Sequence, residues 1–268
     1  MKQTQAFLST YTADVSGVCS ALFELGGMTV MHDASGCNST YNTHDEPRWY
    51  DMDALVFISG LSELEAVLGD DEKLIEDTVR AAKELSPRFI ALAGTPIPMI
   101  TGCDLAAIAR EIESRSGIPS FFVTSNGIGS YVSGAGQALR LYAERFVLPA
   151  HEKKKNAVNI LGATPLDFSV NGQIQSIARR LTEGGFSVQS VWAMGSETAA
   201  IDRTGEAEVN LVVSSVGLPV AKFLRERFGT PYVVGVLFGD TVSALLLGAL
   251  QKSIHTGENE ILPAGTPD

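Results

Sequence analysis

Short apolar runs alternate along this chain with longer stretches whose apolar residues recur every three or four positions. These are the signatures of buried parallel strands and of helices with one inward face. After a short helical pattern around Cys19, the apolar run at residues 28–31 opens the series. Residues 53–59 (D-A-L-V-F-I-S) predict the next strand, and residues 70–85 a helix with Leu74, Ile75, Val79 and Ala82 on one face. Residues 88–93 predict a strand, 94–98 (G-T-P-I-P) a loop unable to join a ladder, 104–116 a helix with Leu105, Ile108 and Ile112 inward, and 119–123 a fourth extended run. Beyond a glycine-rich stretch at 126–136, a helix over 137–147 closes the series.

Residues 149–155 (P-A-H-E-K-K-K) break the pattern, because a proline and a charge cluster end the helix before a fresh strand begins. Strands at 158–162, 186–192, 209–214 and 232–236 then interleave with helices at 172–181, 220–228 and 241–252. From Ile254 the chain turns polar and proline-containing. The pattern predicts an α/β protein of two doubly wound, Rossmann-like parallel-sheet domains, at 1–149 and 156–253, with a tail at 254–268. Ligands of such sheets sit beyond the carboxyl ends of the strands, which selects the loops at 32–37, 94–103 and 125–134.

Charge narrows the partners. Twenty Lys and Arg against 31 Asp and Glu leave a net charge of −11, which argues against broad nucleic-acid or acidic-membrane binding. No window reaches the roughly 18 continuous apolar residues of a membrane span. With no apolar leader behind Met1 and only three cysteines, the expected location is a reducing cytoplasm, where thiols stay free or bind metal.

Cys19, Cys37 and Cys103 are therefore the candidate chemistry. The turn at residues 32–36 (H-D-A-S-G) delivers Cys37 to a helix start, where unpaired backbone N–H groups favour thiolate. Three readings stand side by side: iron–sulfur ligands drawn from neighbouring loops, buried thiols acting as small hydrophobes, and a zinc site of Cys19, His32, Cys37 and His44 that lacks the short spacings of structural zinc modules. His32 is expected to order its turn by hydrogen bonding. The stretch N-G-I-G-S-Y-V-S-G at 126–134 lacks the third glycine of a dinucleotide fingerprint, and no G-x-x-x-x-G-K-[ST] occurs, so any ATP must be bound by another protein. There is no G-x-S-x-G elbow, and Asp33, Asp104 and Asp167 suit helix capping.

Several blocks, in shared order, resemble the nitrogenase component 1 family. H-D-A-S-G-C at 32–37 is similar to the family's H-G-P-x-G-C turn, with Cys19 upstream where another ligand is expected. Residues 64–69 with Lys73 and Leu74 resemble its E-x-x-x-V-F-G-G-x-x-K-L segment, and I-T-G-C-D-L at 100–105 its L-I-G-D-D-I turn. F-G-T-P-Y at 228–232 resembles K-Y-G-I-P-Y, and Phe238-Gly239 the family's F-G.

The resemblance implies a compact, two-domain component 1 subunit lacking the family's third domain. It would bind an iron–sulfur cluster, 4Fe–4S or a larger P-cluster-like one, through Cys19, Cys37 and Cys103 at the interface of a homodimer or of a heterodimer with a related subunit. Low-potential electrons would pass from an ATP-dependent iron-protein-like reductase to a substrate. The alternative implied is a non-catalytic scaffold or carrier for a metal cluster or tetrapyrrole-like ligand. Two departures bear on this. Cys103 occupies the place of the turn's first aspartate, whereas the family's third cysteine precedes that turn, where this chain has T-P-I-P at 95–98. Ser214 stands where the molybdenum–iron protein carries its cofactor-anchoring cysteine, so no molybdenum cofactor and no dinitrogen reduction are expected.

Overall fold

The computed structural model describes residues 13–34 and 46–262. By contacts the chain falls into two compact units: residues 1–19, 27–46 and 54–135, and residues 20–26, 47–53 and 136–268. The division therefore falls inside a helix rather than at the charged break at 149–155, and two short early segments belong to the second unit.

In the first unit, helix α1 (Asp14–Leu22), which runs on into the second, leads to four parallel strands: β1 (Met28–His32), β2 (Leu55–Ile58), β3 (Ile90–Gly94) and β4 (Ser120–Val123). Their order is β2-β1-β3-β4, with Val30 opposite Phe57 on one side and Leu92 on the other. The chain moves outward from β1 to β2 and then crosses back to β3, which makes the sheet doubly wound. Every residue of β1 and β3 is buried, the expected state of a parallel strand covered on both faces.

Helices α2 (Glu63–Leu68), α3 (Asp71–Leu85), α4 (Pro96–Thr101) and α5 (Leu105–Ser116) connect the strands. Leu74, Ile75, Val79 and Ala82 of α3 join Leu105, Ile108, Ala109 and Ile112 of α5 over Met28, Val30, Ile90 and Leu92. Each buried Leu or Ile in this layer contributes about 1.5–3 kcal/mol. Two expectations are corrected here. The loop expected at 94–98 is the start of α4, because Pro96 sits at the first helical position, where its missing N–H has no intrahelical partner to lose. The helix expected from Gln137 is α6 (Tyr131–Phe146), which starts six residues earlier. Gly134 allows this: a Cβ there would lie 2.0 Å from the Asp14 carbonyl oxygen, and one on Gly17 would lie 2.2 Å from that of Tyr131. Glycine serves here as the contact between α1 and α6.

The second unit holds five parallel strands, β5 (Lys154–Leu161), β6 (Ser187–Val191), β7 (Ala207–Val212), β8 (Tyr232–Val234) and β9 (Glu260–Ile261), in the order β6-β5-β7-β8-β9. Helices α7 (Pro165–Phe168), α8 (Gln173–Glu183), α9 (Thr198–Asp202), α10 (Leu218–Phe228) and α11 (Gly239–Thr256) link them. Ile174, Ile177 and Leu181 of α8 and Leu246 and Leu250 of α11 pack on one core with Val158, Ile160, Val209, Leu211 and Val233. The tail expected from Ile254 begins later, since α11 runs to Thr256 and β9 follows. Ser253 Oγ fastens that turn by donating to the Glu258 carbonyl at 2.7 Å.

Polar side chains lock three of these strands. Asn159 Nδ2 donates to Asn210 Oδ1 (2.8 Å) and to the Thr204 carbonyl (3.0 Å), while Ser190 Oγ donates to Asn159 Oδ1 (2.7 Å). Buried and bonded, such a network makes register specific, because a slip would strand each group without a partner. The segments at 20–26 and 47–53 are clipped on by Arg48, 3% exposed, which donates to Glu24 Oε1 (2.9 Å) and to the carbonyls of Ala193 and Ser20 (both 2.8 Å).

Candidate functional site

At the carboxyl ends of the first unit's strands a hydroxyl residue follows each of β2, β3 and β4. Ser59 Oγ meets His32 Nδ1 at 2.8 Å, Thr95 Oγ1 donates to the His32 carbonyl at 2.8 Å, and Ser125 Oγ accepts from the Gly94 N–H at 2.9 Å. These bonds satisfy backbone groups that the ladder leaves at its end. They were not singled out from the sequence, although a Ser or Thr just beyond each apolar run is the signal that marks them. His32 orders its turn by hydrogen bonding, as expected. Burial pushes its pKa below the ordinary value, against the opposing charges of Asp71, Asp33 and Glu65.

Beside this clamp lies a cavity of about 250 Å³ at the loop between α4 and α5. Cys103 lines it, together with His32, Glu65, Asp70, Asp71 and Asp104. The thiol is half-buried and its Sγ lies 3.5 Å from Asp71 Oδ1. Burial, then the charge and hydrogen bond of Asp71, then Asp104 push its pKa up to about 12. Glu65 is held at about 2 by the Ser62 N–H and the Lys73 ammonium, so it adds negative charge to the wall. A cation entering here would meet carboxylates and would have to displace the thiol proton to gain the sulfur. Asp104 also N-caps α5, its Oδ1 accepting from the Ala107 N–H at 2.9 Å. That capping duty was expected.

The three cysteines differ in what surrounds them. Cys19 lies within α1 rather than in a loop, is fully buried among Val15, Val18 and Leu22 of the same helix, and has its thiol pushed far above the ordinary range by burial and then by the charge of Glu46. Cys37 and His44 lie outside the described residues. Among the described residues no three His, Cys, Asp or Glu side chains are placed to hold one metal ion. The described part of the chain thus offers one thiol open to a cavity, Cys103, and one closed off, Cys19.

The glycine-rich loop is filled from within. Asp14, 4% exposed, accepts from the N–H groups of Asn126 (3.0 Å) and Gly127 (2.8 Å), and its own N–H donates to the Gly129 carbonyl (3.0 Å). A carboxylate of the protein takes the amides that a phosphate would need.

The helices that contribute Glu65, Ala66 and Thr101 to the cavity wall also carry exposed apolar side chains. Helices α2 and α4 lie side by side, and Leu64, Val67 and Leu68 of the first and Met99 and Ile100 of the second are 45–78% exposed. No residue of α2 is buried. Leu64, Val67 and Leu68 thus form an outward-facing apolar stripe on a helix capped at both ends.

Two doubly wound α/β units, the first with a thiol-bearing cavity at its strand ends, define a Rossmann-like, two-unit protein. The family can be stated from comparison: the model for nitrogenase component 1 type oxidoreductases matches residues 15–263, and the chain belongs to that family. It is 24% identical over 226 residues to the nitrogenase iron-molybdenum cofactor biosynthesis protein NifE of Klebsiella pneumoniae, covering 78% of this chain and 49% of that one. It is 26% identical over 203 residues to a subunit of the light-independent protochlorophyllide reductase of Nostoc punctiforme, covering 72% and 40%. Among solved structures, nitrogenase Cp1 at pH 6.5 superposes with a TM-score of 0.76 at 18% identity, over 92% of this chain and 50% of that one. The chain spans about half the length, or less, of these relatives. No helix among the described residues is long and apolar enough to cross a membrane.

Proposed function

We propose that this protein is a cytoplasmic component 1-type oxidoreductase subunit that holds an iron–sulfur cluster at a dimer interface and receives low-potential electrons from a separate ATP-dependent reductase. Family membership supports the class, and the observation that carries the site is Cys103 opening into an acidic cavity. The residues fit the cluster in part. Cys103 has access and Cys37 belongs to the turn resembling the family's ligand turn, whereas Cys19 is enclosed by apolar neighbours and is better suited to packing. One chain then supplies two thiolates, so a four-thiolate cluster would draw the same pair from a second, twofold-related subunit. The cluster would supply one-electron chemistry at low potential.

The chain's own residues would prepare that site. Burial, Asp71 and Asp104 would keep the Cys103 thiol protonated until a cation arrives, and Ser59 holds His32 in one ring orientation at the cavity wall. The exposed apolar side chains of α2 and α4 would seat the reductase, on helices that also supply the cavity wall.

Anaerobic purification with iron and sulfide analysis and EPR tests this reading. Iron and sulfide in equal amounts are expected, lost in Cys37→Ser and Cys103→Ser and kept in Cys19→Ala. An iron-free protein, or iron unaffected by Cys37→Ser, sinks it. A second reading, a non-catalytic scaffold or carrier for a cluster or tetrapyrrole-like ligand, is favoured by the likeness to a cofactor biosynthesis protein. Transfer of bound cluster to an acceptor, without substrate reduction when the reductase is present, would select it.

A further inference from the structure

Strand β2 stands at one edge of the first unit's sheet and pairs, among the described residues, with β1 alone. The Ser59 N–H donates to the Met31 carbonyl at 3.0 Å, which fixes how the strand faces. Phe57 and Ser59 turn their backbone groups toward β1, and Val56 and Ile58, by the alternation of a strand, turn theirs outward. Natural sheet edges are ordinarily blunted by polar or charged residues, proline or a bulge. Among the edge strands of the two sheets, β9 carries Glu260, β6 carries Gln189 and Ser190, and β4 begins with Ser120. By contrast β2 reads L-V-F-I, apolar throughout and in unbroken register with β1.

The edge also has room beside it. A groove of about 260 Å³ lies between β2 and α3, lined by the buried Met28 and Val30 of β1, by Leu74, Thr78 and Ala81 of the helix, and by Phe57. Phe57 pairs in register with Val30, so it lies on the face that α3 covers, yet its ring is 39% exposed because the helix stops short of the edge strand. The charged residues of the groove are Asp77 and Arg80, one of each sign and paired with each other. On a chain of net charge −11, this is a neutral apolar edge at which a second copy is not repelled.

We propose that β2 pairs with the β2 of a second copy of this chain, antiparallel about a twofold axis at Phe57, so that two four-stranded sheets become one continuous sheet. Val56 then exchanges both backbone hydrogen bonds with the partner's Ile58, and Ile58 with the partner's Val56, so every outward group of the pair is met. Phe57 and the partner's Phe57 stand directly opposite, with Cα atoms about 4.5 Å apart, and both rings leave solvent between α3 and its copy, where the two grooves join. This contact is separate from the cluster reading. Antiparallel strands send their carboxyl ends apart, and the cavity of Cys103 lies at that end, with His32 in its wall.

Sedimentation equilibrium of the full-length Cys37→Ser/Cys103→Ser protein is the experiment, because no cluster is then present to hold subunits together. A dimer is expected. Phe57→Lys and Phe57→Glu, added singly to that protein, each set like charges directly opposite and should raise the dissociation constant at least about tenfold, with an unchanged circular dichroism spectrum. An equimolar mixture of the two should restore the dimer, since the introduced charges then attract. Amide exchange over residues 54–60 of the protein with Phe57 intact should slow at least about tenfold between dilute and concentrated solution, a readout that needs no change at Phe57. A monomer at every concentration, a dimer equally tight in both charged variants, a mixture no tighter than either alone, or exchange indifferent to concentration overturns the proposal.

Discussion

The Cys103 sulfur lies 3.5 Å from Asp71 Oδ1, so a thiol facing a cavity is kept neutral by its partial burial and by the carboxylate beside it. With its pKa pushed up to about 12, the thiol stays protonated at pH 8. Iodoacetamide should accordingly label Cys103 of the metal-free protein slowly. In Asp71→Asn, which removes both the charge and the strong acceptor, labelling at pH 8 should quicken by about tenfold or more. Mass spectrometry of the Cys103 peptide reads this, and an unchanged rate would show that Asp71 does not set the thiol's state.

Asp14 holds the loop before α6 by accepting two backbone N–H groups. Asp14→Ala leaves both donors without a partner and should lower unfolding free energy by about 2–4 kcal/mol. A urea midpoint shift corresponding to less than about 1 kcal/mol, the scale of a single solvated hydrogen bond, would mean that water replaces the carboxylate there.

Cys19 predicts an alkaline limb. Burial raises its folded-state pKa above the ordinary 9.0, so the folded state favours the neutral thiol. Its contribution is complete below pH 9 and is lost as pH rises, because the unfolded thiol ionises first. Cys19→Ala should cost about 1–2 kcal/mol at pH 7 through lost packing and should flatten the decline in stability above pH 9. Parallel denaturation curves for the two proteins from pH 7 to 10.5 test it; equal slopes above pH 9 count against the assignment.

His32 acts at the other end. Its pKa is lowered, so the folded state favours the neutral ring, and the associated stability is present above about pH 6.5 and lost below it. His32→Gln should lessen the acid sensitivity between pH 6.5 and 5, read as the change of thermal midpoint with pH. A midpoint that tracks the parent protein across that range would place the proton elsewhere.

Leu68 and Ile100 are 70% and 78% exposed on α2 and α4. Charging them, as Leu68→Glu and Ile100→Glu, should change stability by no more than about 0.5 kcal/mol. Iron content should also hold, while electron uptake from the reductase falls at least about tenfold. Reduction as fast as in the parent would remove this face from the docking surface.

Particular elements show how much could be read in advance. The runs that became β1 and β3 are apolar on both faces because both faces are covered, and the spacing of Leu74, Ile75, Val79 and Ala82 or of Leu105, Ile108 and Ile112 reflects a single inward stripe. Such signals are local. Pro96 misleads because a proline that ends a strand can equally begin a helix, and only the geometry after β3 chooses between them. Gly134 suggests a loop because glycine is ordinarily unfavourable in a helix, and its reason lies in Asp14, far away in the chain.

The same distinction separates the cysteines. Residue order alone determined the alternation of strand and helix, the two doubly wound sheets and the family, since hydrophobic period and motif order are properties of neighbouring residues. Tertiary structure decided that Cys19 is enclosed while Cys103 opens beside Asp71, that Asp14 occupies the glycine-rich nest, and that β2 stands at a sheet edge. Burial, charge and amide supply at a site come from groups that folding brings together across the chain, and no local pattern encodes their meeting.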